Sequence, residues 1–479
     1  MKNKFSTNFL FYDYETFGIN PISDKPVQFA CIKTDFNFNL ISKPIVLYCY
    51  PPIDYLPDPE AILVHSITPQ YSKKYGLNES FFSKKIYDIL NFPNTCILGY
   101  NNINFDDEIT RNIFYRNFFN SYNWHWKNNN TRWDVLNLIR AFYALRPTGI
   151  NWPKNKKNYV SFKLSDLTKI NKIHHYKTHD ALSDVYATIN LLKLIKKNNK
   201  KFFNFLFFIR KKNNLLKLVK KNYLKPLIYI SSYFGSKKNN FGRIIPLIIH
   251  PQNKNILITM DLDKKYCFKN FIKNFSKFLN FDIKYLFSIG IRFIYLNKCP
   301  ILLPIVSLRN KDILRLKLDQ ENFFKNLCFF KKFFNIDVIN KLSKINFKKK
   351  KYKHIDFKLY KNFFSFTDQE KIKNFRKLID KNIFKENYLV SDKRFKDLWF
   401  FFKARNFPIF LNEKDKNRWK KYLINFFNKE KIFIYIEKIN FLKKLYFSNS
   451  NKIYLLNKVL MYLKYLKNQL KNILTNNLF

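Results

Sequence analysis

Three short acidic stretches of this chain have residue types and spacings that could do chemistry. The first closes the run Asn8-Phe9-Leu10-Phe11-Tyr12-Asp13-Tyr14-Glu15-Thr16. Residues two apart share a strand face, so Phe11, Asp13 and Glu15 point the same way. Paired carboxylates at the end of an apolar strand are costly without a cation, and a divalent metal is the usual partner. The second stretch is Gly99-Tyr100-Asn101-Asn102-Ile103-Asn104-Phe105-Asp106-Asp107-Glu108. There a strand ends, polar residues turn, and Asp106 falls at a helix N-terminus, where an acid can equally be a dipole partner. The third is His179-Asp180-Ala181-Leu182-Ser183-Asp184-Val185-Tyr186. Asp184 lies one turn into a helix, with His179 just before that helix. Singly, these read as a surface pair, a dipole partner and a cap. Together they supply hard oxygen ligands for Mg²⁺ and an imidazole that can take a proton from water, the parts needed for metal-assisted hydrolysis.

Elements of strand and helix must bring these groups together. Residues 8–16, 27–34 and 44–49 read as strands, the antiparallel start of a mixed sheet. Helices are expected from 59 to 64 and from Pro69, the latter capped by Thr68, with an amphipathic one over 79–90. A short strand over 95–100 and a helix over 106–118 frame Asp106. Further helices are expected over 132–145, 164–173 and 180–196. Residues 197–221 read as a basic, linker-like stretch with interleaved aromatics. Beyond it, short strands are expected over 225–233, 243–250, 255–261, 291–296 and 301–306, with a helical patch from about Phe268. From His354 the pattern turns helical, for instance over 368–381, 394–403, 416–428 and 452–474.

Composition bounds the class. At 479 residues and 47% hydrophobic, the chain exceeds one core and is not disordered. Lys and Arg number 88 against 34 Asp and Glu, a formal net charge of +54 that draws polyanions, nucleic acid first. The excess is mostly Lys and comes with many Asn, Ile and Phe and only 7 Gly. Drift in an A+T-rich genome gives the same composition, so the charge permits nucleic-acid binding without requiring it. Cysteines 31, 49, 96, 267, 299 and 328 form no metal-binding pair and read as small buried residues in a reduced compartment. No apolar run reaches the roughly 20 residues a bilayer needs, so a soluble, cytoplasmic protein is expected.

The order Asp13, Glu15, Asp106, His179, Asp184 resembles the DEDD 3′→5′ exonucleases, and the H-x-A-x-x-D spacing from His179 to Asp184 resembles the subclass that uses His. A closer resemblance, to the bacterial exodeoxyribonuclease I family, rests on several stretches. They are Phe11-Tyr12-Asp13-Tyr14-Glu15-Thr16-Phe17-Gly18, Ile97-Leu98-Gly99-Tyr100-Asn101-Asn102, Asn104-Phe105-Asp106-Asp107-Glu108 and residues 110–118. Ala144-Leu145-Arg146-Pro147 and Gly149-Ile150-Asn151-Trp152-Pro153 continue it, as do Leu359-Tyr360, Phe363-Phe364-Ser365 and Ala404-Arg405-Asn406-Phe407-Pro408. The resemblance implies an α/β RNase-H-like exonuclease domain over 1–200, with a mixed sheet flanked by helices. An SH3-like β-rich domain over 201–350 and an α-helical C-terminal domain over 354–479 would follow, enclosing a basic groove. The implied activity is processive 3′→5′ hydrolysis of single-stranded DNA to deoxynucleoside 5′-monophosphates by a monomer, in DNA repair and recombination. A non-catalytic single-strand-binding protein and a DEDD exoribonuclease are the alternatives.

The same resemblance assigns roles. Two Mg²⁺ ions (Mn²⁺ is an alternative) would be held by Asp13, Glu15, Asp184 and Asp106, with Asp13 shared, and His179 would take a proton from the attacking water. Glu15 and Lys163 would hold the substrate, Lys163 standing where the family usually has Arg. Arg111, Tyr122, Trp126, Arg140 and Lys212 would contact the strand through phosphates and base stacking, although Tyr122 and Trp126 also suit a packed core. Arg146, Lys225 and Arg309 would bind the acidic, apolar C-terminal tail of single-stranded-DNA-binding protein.

Overall fold

Residues 8–264, 283–333, 336–345, 352–385 and 388–475 are described by the computed structural model. The first strand, β1 (Asn8–Thr16), alternates as its sequence demands. Phe9 and Phe11 lie on one side, where Phe9 stacks on Phe36 and Phe38 with centroids 5.6 and 5.3 Å away. Leu10, Tyr12 and Tyr14 lie on the other, against Phe82, Ile86, Ile113 and Phe114. β1 pairs antiparallel with β2 (Pro26–Thr34), which pairs antiparallel with β3 (Ile45–Tyr48). On its other edge β1 runs parallel to β4 (Thr95–Gly99). Helices α1 (Pro59–His65), α2 (Pro69–Tyr75) and α3 (Glu79–Leu90) begin at Asp58, Thr68 and Asn78, whose side chains accept from the first-turn amides. α4 (Asp106–Arg116) follows the loop after β4.

The chain divides into two compact units. One comprises Met1–Thr131, Tyr176–Tyr186 and Lys349–Phe479; the other comprises Arg132–His175 and Ala187–Lys348. In the first, the apolar faces of the helices Lys429–Leu445 and Ser450–Leu474 pack on the sheet region. Ile432, Ile439, Leu456 and Val459 share a core with Phe17, Val27 and Ile62. A second core joins Tyr115 and Phe118 to Phe375, Phe395, Trp399 and Phe402. Residues far apart in sequence are therefore buried by one another, and neither group would hide its apolar surface alone.

Buried charges tie the same parts together. Arg405 bonds Asp54 and Asp356, each at 2.8 Å, and Lys25 reaches Asp356 at 3.4 Å. Asp356 is 3% exposed. Burial alone would raise its carboxyl, but Arg405, Lys25 and Arg116 drive it far below the ordinary carboxylate range. Asp356→Ala should leave Arg405 and Lys25 without that counter-charge and cost roughly 3–5 kcal/mol, read as a fall in the urea midpoint. Glu79 is a second case. It accepts from Arg116 Nε and Nη2 at 3.0 and 2.6 Å and from Asn117. Burial would raise the Glu79 carboxyl, yet Arg116 and Lys25 hold it at about 2. A lowered carboxyl stabilises above its unfolded value of 4.5, and that stability is lost as pH falls from there towards 2. Acid titration of the unfolding free energy should show this loss, of about 3 kcal/mol, and Glu79→Gln should flatten it.

In the second unit, five strands form an antiparallel sheet: β6 (Leu227–Ile230), β7 (Phe241–Ile249), β8 (Ile256–Asp261), β9 (Ile291–Tyr295) and β10 (Ile301–Pro304), in the order β10-β6-β7-β8-β9. Its core includes Ile245, Leu247, Ile258 and Met260. Two expectations are corrected here. The helix expected from 132 is α5 (Val135–Leu145), which begins only at Val135 because Asp134 ends the strand β5 (Thr131–Asp134) and its side chain accepts from Leu136 N at 2.9 Å as a cap; α6 (Leu164–Ile170) follows. Residues 197–221 are no linker: they form helices Lys200–Ile209 and Lys212–Lys221. Phe202, Phe203, Leu206 and Phe207 make a buried stripe at helical spacing, which the surrounding lysines disguise in the sequence. The patch expected from Phe268 lies outside the described residues. Cysteines 31, 49, 96 and 299 are buried as expected, whereas Cys328 is exposed; Cys267 is outside the described residues. Among the described residues no helix is long and apolar enough to cross a membrane.

Candidate active site

Asp13 and Glu15 stand half-buried on β1, alternating with the buried Tyr12 and Tyr14. Asp106 is brought to them from 92 positions away: its Oδ1 accepts from Tyr14 N at 3.0 Å, the amide between the two strand carboxylates. The loop before it is built for this approach. Gly99 lies so close to β1 that a Cβ would sit 2.6 Å from the Tyr12 carbonyl oxygen. Asn102 is fully buried and bonds Asp107 Oδ1 at 3.1 Å, which also accepts from Tyr12 Oη at 2.5 Å. Asp107 is thus the structural acid of the pair and Asp106 the one facing the strand.

The third stretch closes the site. Helix α7 (Ala181–Asn198) carries Asp184 in its first turn, and His179 precedes it with φ 61°, in the left-handed region. Glu15, His179 and Asp184 each offer a ligand atom, and these atoms lie within 4.8 Å of one another. Burial raises the Asp13 carboxyl well above its ordinary range, and Asp106, Asp184, Glu15 and Asp180 push it further. Burial, then Asp184, Asp106 and Asp180, does the same to Glu15, with Lys177 opposing. Mutually repelling carboxylates with one imidazole form an oxygen-rich donor set that fits a hard divalent cation.

Other expected contacts are more scattered. In the unit that holds the acids, Arg111 is 5% exposed and its Nη1 bonds Glu108 at 2.5 Å; Trp126 is 59% exposed. Tyr122 is half-buried against Phe363, centroids 5.3 Å apart, with Tyr360 beside it. Tyr360 donates to Glu108. Phe363 and Tyr360 are 75% and 46% exposed and continue the aromatic surface of Tyr122. Both stand in stretches that carry the family resemblance, but the resemblance assigns neither of them a role at the strand. Asp180, read as the start of a helix, is likewise given no role in the site. In the second unit, Lys163 is exposed at the start of the helix Leu164–Ile170. Arg140 bonds Asn137 at 2.9 Å, and Lys212 bonds Asn255 at 2.6 Å. Arg146 and Arg309 meet at the buried Asp312, at 3.8 and 2.7 Å, while Lys225 is exposed before β6.

The exonuclease family model matches residues 10–192, the Exonuclease I SH3-like domain 210–348 and the Exonuclease I C-terminal domain 353–466. Exodeoxyribonuclease I of Buchnera aphidicola subsp. Schizaphis graminum is 48% identical over 99% of this chain and 99% of that protein. The Escherichia coli K12 protein of the same name is 38% identical over 96% of this chain and 98% of its own length. The chain belongs to the exodeoxyribonuclease I family. Solved structures carry the exodeoxyribonuclease I fold throughout: an apo Exonuclease I has a TM-score of 0.87 at 39% identity, covering 96% of this chain and 99% of its own. E. coli Exonuclease I in complex with a dA16 oligonucleotide also scores 0.87, at 37% identity over 96% of this chain and 100% of that one. This chain therefore has the exonuclease domain with its mixed sheet, the SH3-like domain and the helical C-terminal domain of that family. Two further similar structures are the zinc-ion-bound form of an E. coli ExoI–ssDNA complex and SSB/Exonuclease I in complex with the inhibitor CFAM, each with a TM-score of 0.87.

Proposed function

We propose that this chain is a 3′→5′ exonuclease that removes deoxynucleoside 5′-monophosphates processively from single-stranded DNA. The observation that carries this reading is the grouping of Glu15, His179 and Asp184 within 4.8 Å. Membership of a family whose E. coli relative is solved with a DNA oligonucleotide supports the substrate. Asp13, Glu15, Asp184 and Asp106 would hold Mg²⁺, with Mn²⁺ as a substitute. Bound metal supplies the charge that stabilises the attacking and leaving oxygens. The chain does the rest. A ring nitrogen of His179 takes a proton from water as the water oxygen bonds to phosphorus, the bond from phosphorus to the 3′ oxygen of the penultimate nucleotide breaks, and that oxygen takes a proton from solvent and leaves as the new 3′-hydroxyl.

Lys163 would pair with the phosphate as a point charge, without the bidentate grip of Arg. Arg111, Tyr122, Trp126, Arg140 and Lys212 would track the strand, with Tyr360 and Phe363 adding stacking surface. Arg146, Lys225 and Arg309 would receive an acidic tail of single-stranded-DNA-binding protein. The domain limits at 201–350 and 354–479, a monomeric state, a cytoplasmic location and a role in repair and recombination complete the proposal. The deciding assay is digestion of 3′- and 5′-labelled single strands beside duplex DNA and RNA, with Mg²⁺ and with EDTA. Early loss of the 3′ label, on single-stranded DNA alone and with metal alone, is expected. Cleavage of RNA alone, or binding without cleavage, would overturn it.

A further inference from the structure

Gln28 is 1% exposed on β2 and lies opposite Glu15 in the antiparallel register. Its carboxamide meets the start of α7 in both senses. Nε2 donates to Asp180 Oδ2 at 3.2 Å, and Oε1 accepts from Ala181 N at 3.1 Å. Nε2 also lies 3.3 Å from the Tyr48 hydroxyl on β3. Asp180 passes the tie onward: its Oδ1 accepts from Ser183 N at 3.1 Å and its carbonyl from Asp184 N at 2.9 Å. The turn held in this way carries His179, whose φ of 61° is unfavourable for a residue with a Cβ and persists only where the surroundings hold it.

We infer that Gln28 is a positioning residue for the hydrolysis: its amide sets where α7 begins and so places His179 and Asp184 against Glu15. The inference rests on the exonuclease reading above. The chemistry selects an amide. Ala181 N can only donate and the Asp180 carboxylate only accepts, so the group facing both must offer an acceptor and a donor side by side. A carboxylate at position 28 would set oxygen against oxygen at Asp180. Groups that orient ligands in this way typically change metal affinity or activity about 10–100-fold when altered.

The test compares wild type with Gln28→Glu, Asp180→Asn and the double variant. Gln28→Glu should lower kcat about 10–100-fold with KM for single-stranded DNA little changed, and should shrink the rise in Tm that Mn²⁺ produces. In the double variant the hydrogen bond is reversed, because the new amide at 180 donates to the new carboxylate at 28. Net charge is conserved, and an amide at 180 still caps Ser183. Its kcat and its Mn²⁺ shift should return to within about threefold of wild type. A purely structural role would lower the metal-free Tm of each variant and leave kcat and the Mn²⁺ shift alone. Wild-type values in Gln28→Glu, or a double variant no better than the poorer single, would overturn the inference. If wild type itself failed to cleave, the exonuclease reading would fall, and the Mn²⁺ shifts would still decide the placement.

Discussion

Asp13→Asn should abolish cleavage while leaving single-stranded DNA bound. The side chain sits on β1 between two buried tyrosines, and four other acids, Asp106, Asp184, Glu15 and Asp180, act on it electrostatically. An amide keeps its shape and removes the charge that a cation would meet. If metal supplies even about 4 kcal/mol of transition-state stabilisation, its loss lowers the rate by about 10³-fold or more. The stabilisation on adding Mn²⁺ should vanish with the activity. The metal-free variant should melt no lower than the metal-free wild type, because the amide takes one acid out of a mutually repelling, buried set. The charges and aromatics that would hold the strand lie elsewhere, so affinity measured in EDTA should hold. Loss of binding along with cleavage would mark Asp13 as a structural residue instead.

His179→Ala should lower kcat by roughly 10²–10⁴ with binding intact. Its side chain is exposed, so removal opens no cavity. The fall should therefore come without a loss of stability, and the limb of the pH–rate profile that reports imidazole protonation should disappear. An unchanged pH profile would remove His179 from the proton-transfer role. Placed beside Asp13→Asn, the pair separates two failures: the first variant loses the metal response and the second keeps most of it.

Much of this site was legible in one dimension. Asp13 and Glu15 alternate on a strand, Asp106 opens a helix, and His179 and Asp184 frame the start of another; each is a local pattern of period two or 3.6. Helix starts at Asp58, Thr68 and Asn78 were equally local, because a capping side chain bonds amides two or three residues on. Where lysines crowd a helix, as over Lys200–Ile209, the apolar stripe was present but obscured. The strand before Val135 failed for the opposite reason: four residues are too short for a period to declare itself.

The sequence alone thus determined which residues could do chemistry and roughly which elements carry them. Only the tertiary structure decided which acids serve which role. Asp106 faces β1 and Asp107 is tied to Tyr12, a difference between neighbours of the same type made by a strand about 90 residues away. Gln28 reads as one polar residue in an apolar strand until α7 arrives, 152 positions later, to use both ends of its amide. Lys25, Asp54, Asp356 and Arg405 likewise become one buried network only when the chain's two ends pack together. Local periodicity cannot encode such pairings, because each side chain satisfies its own helix or strand and finds its charge or hydrogen-bond partner only in space.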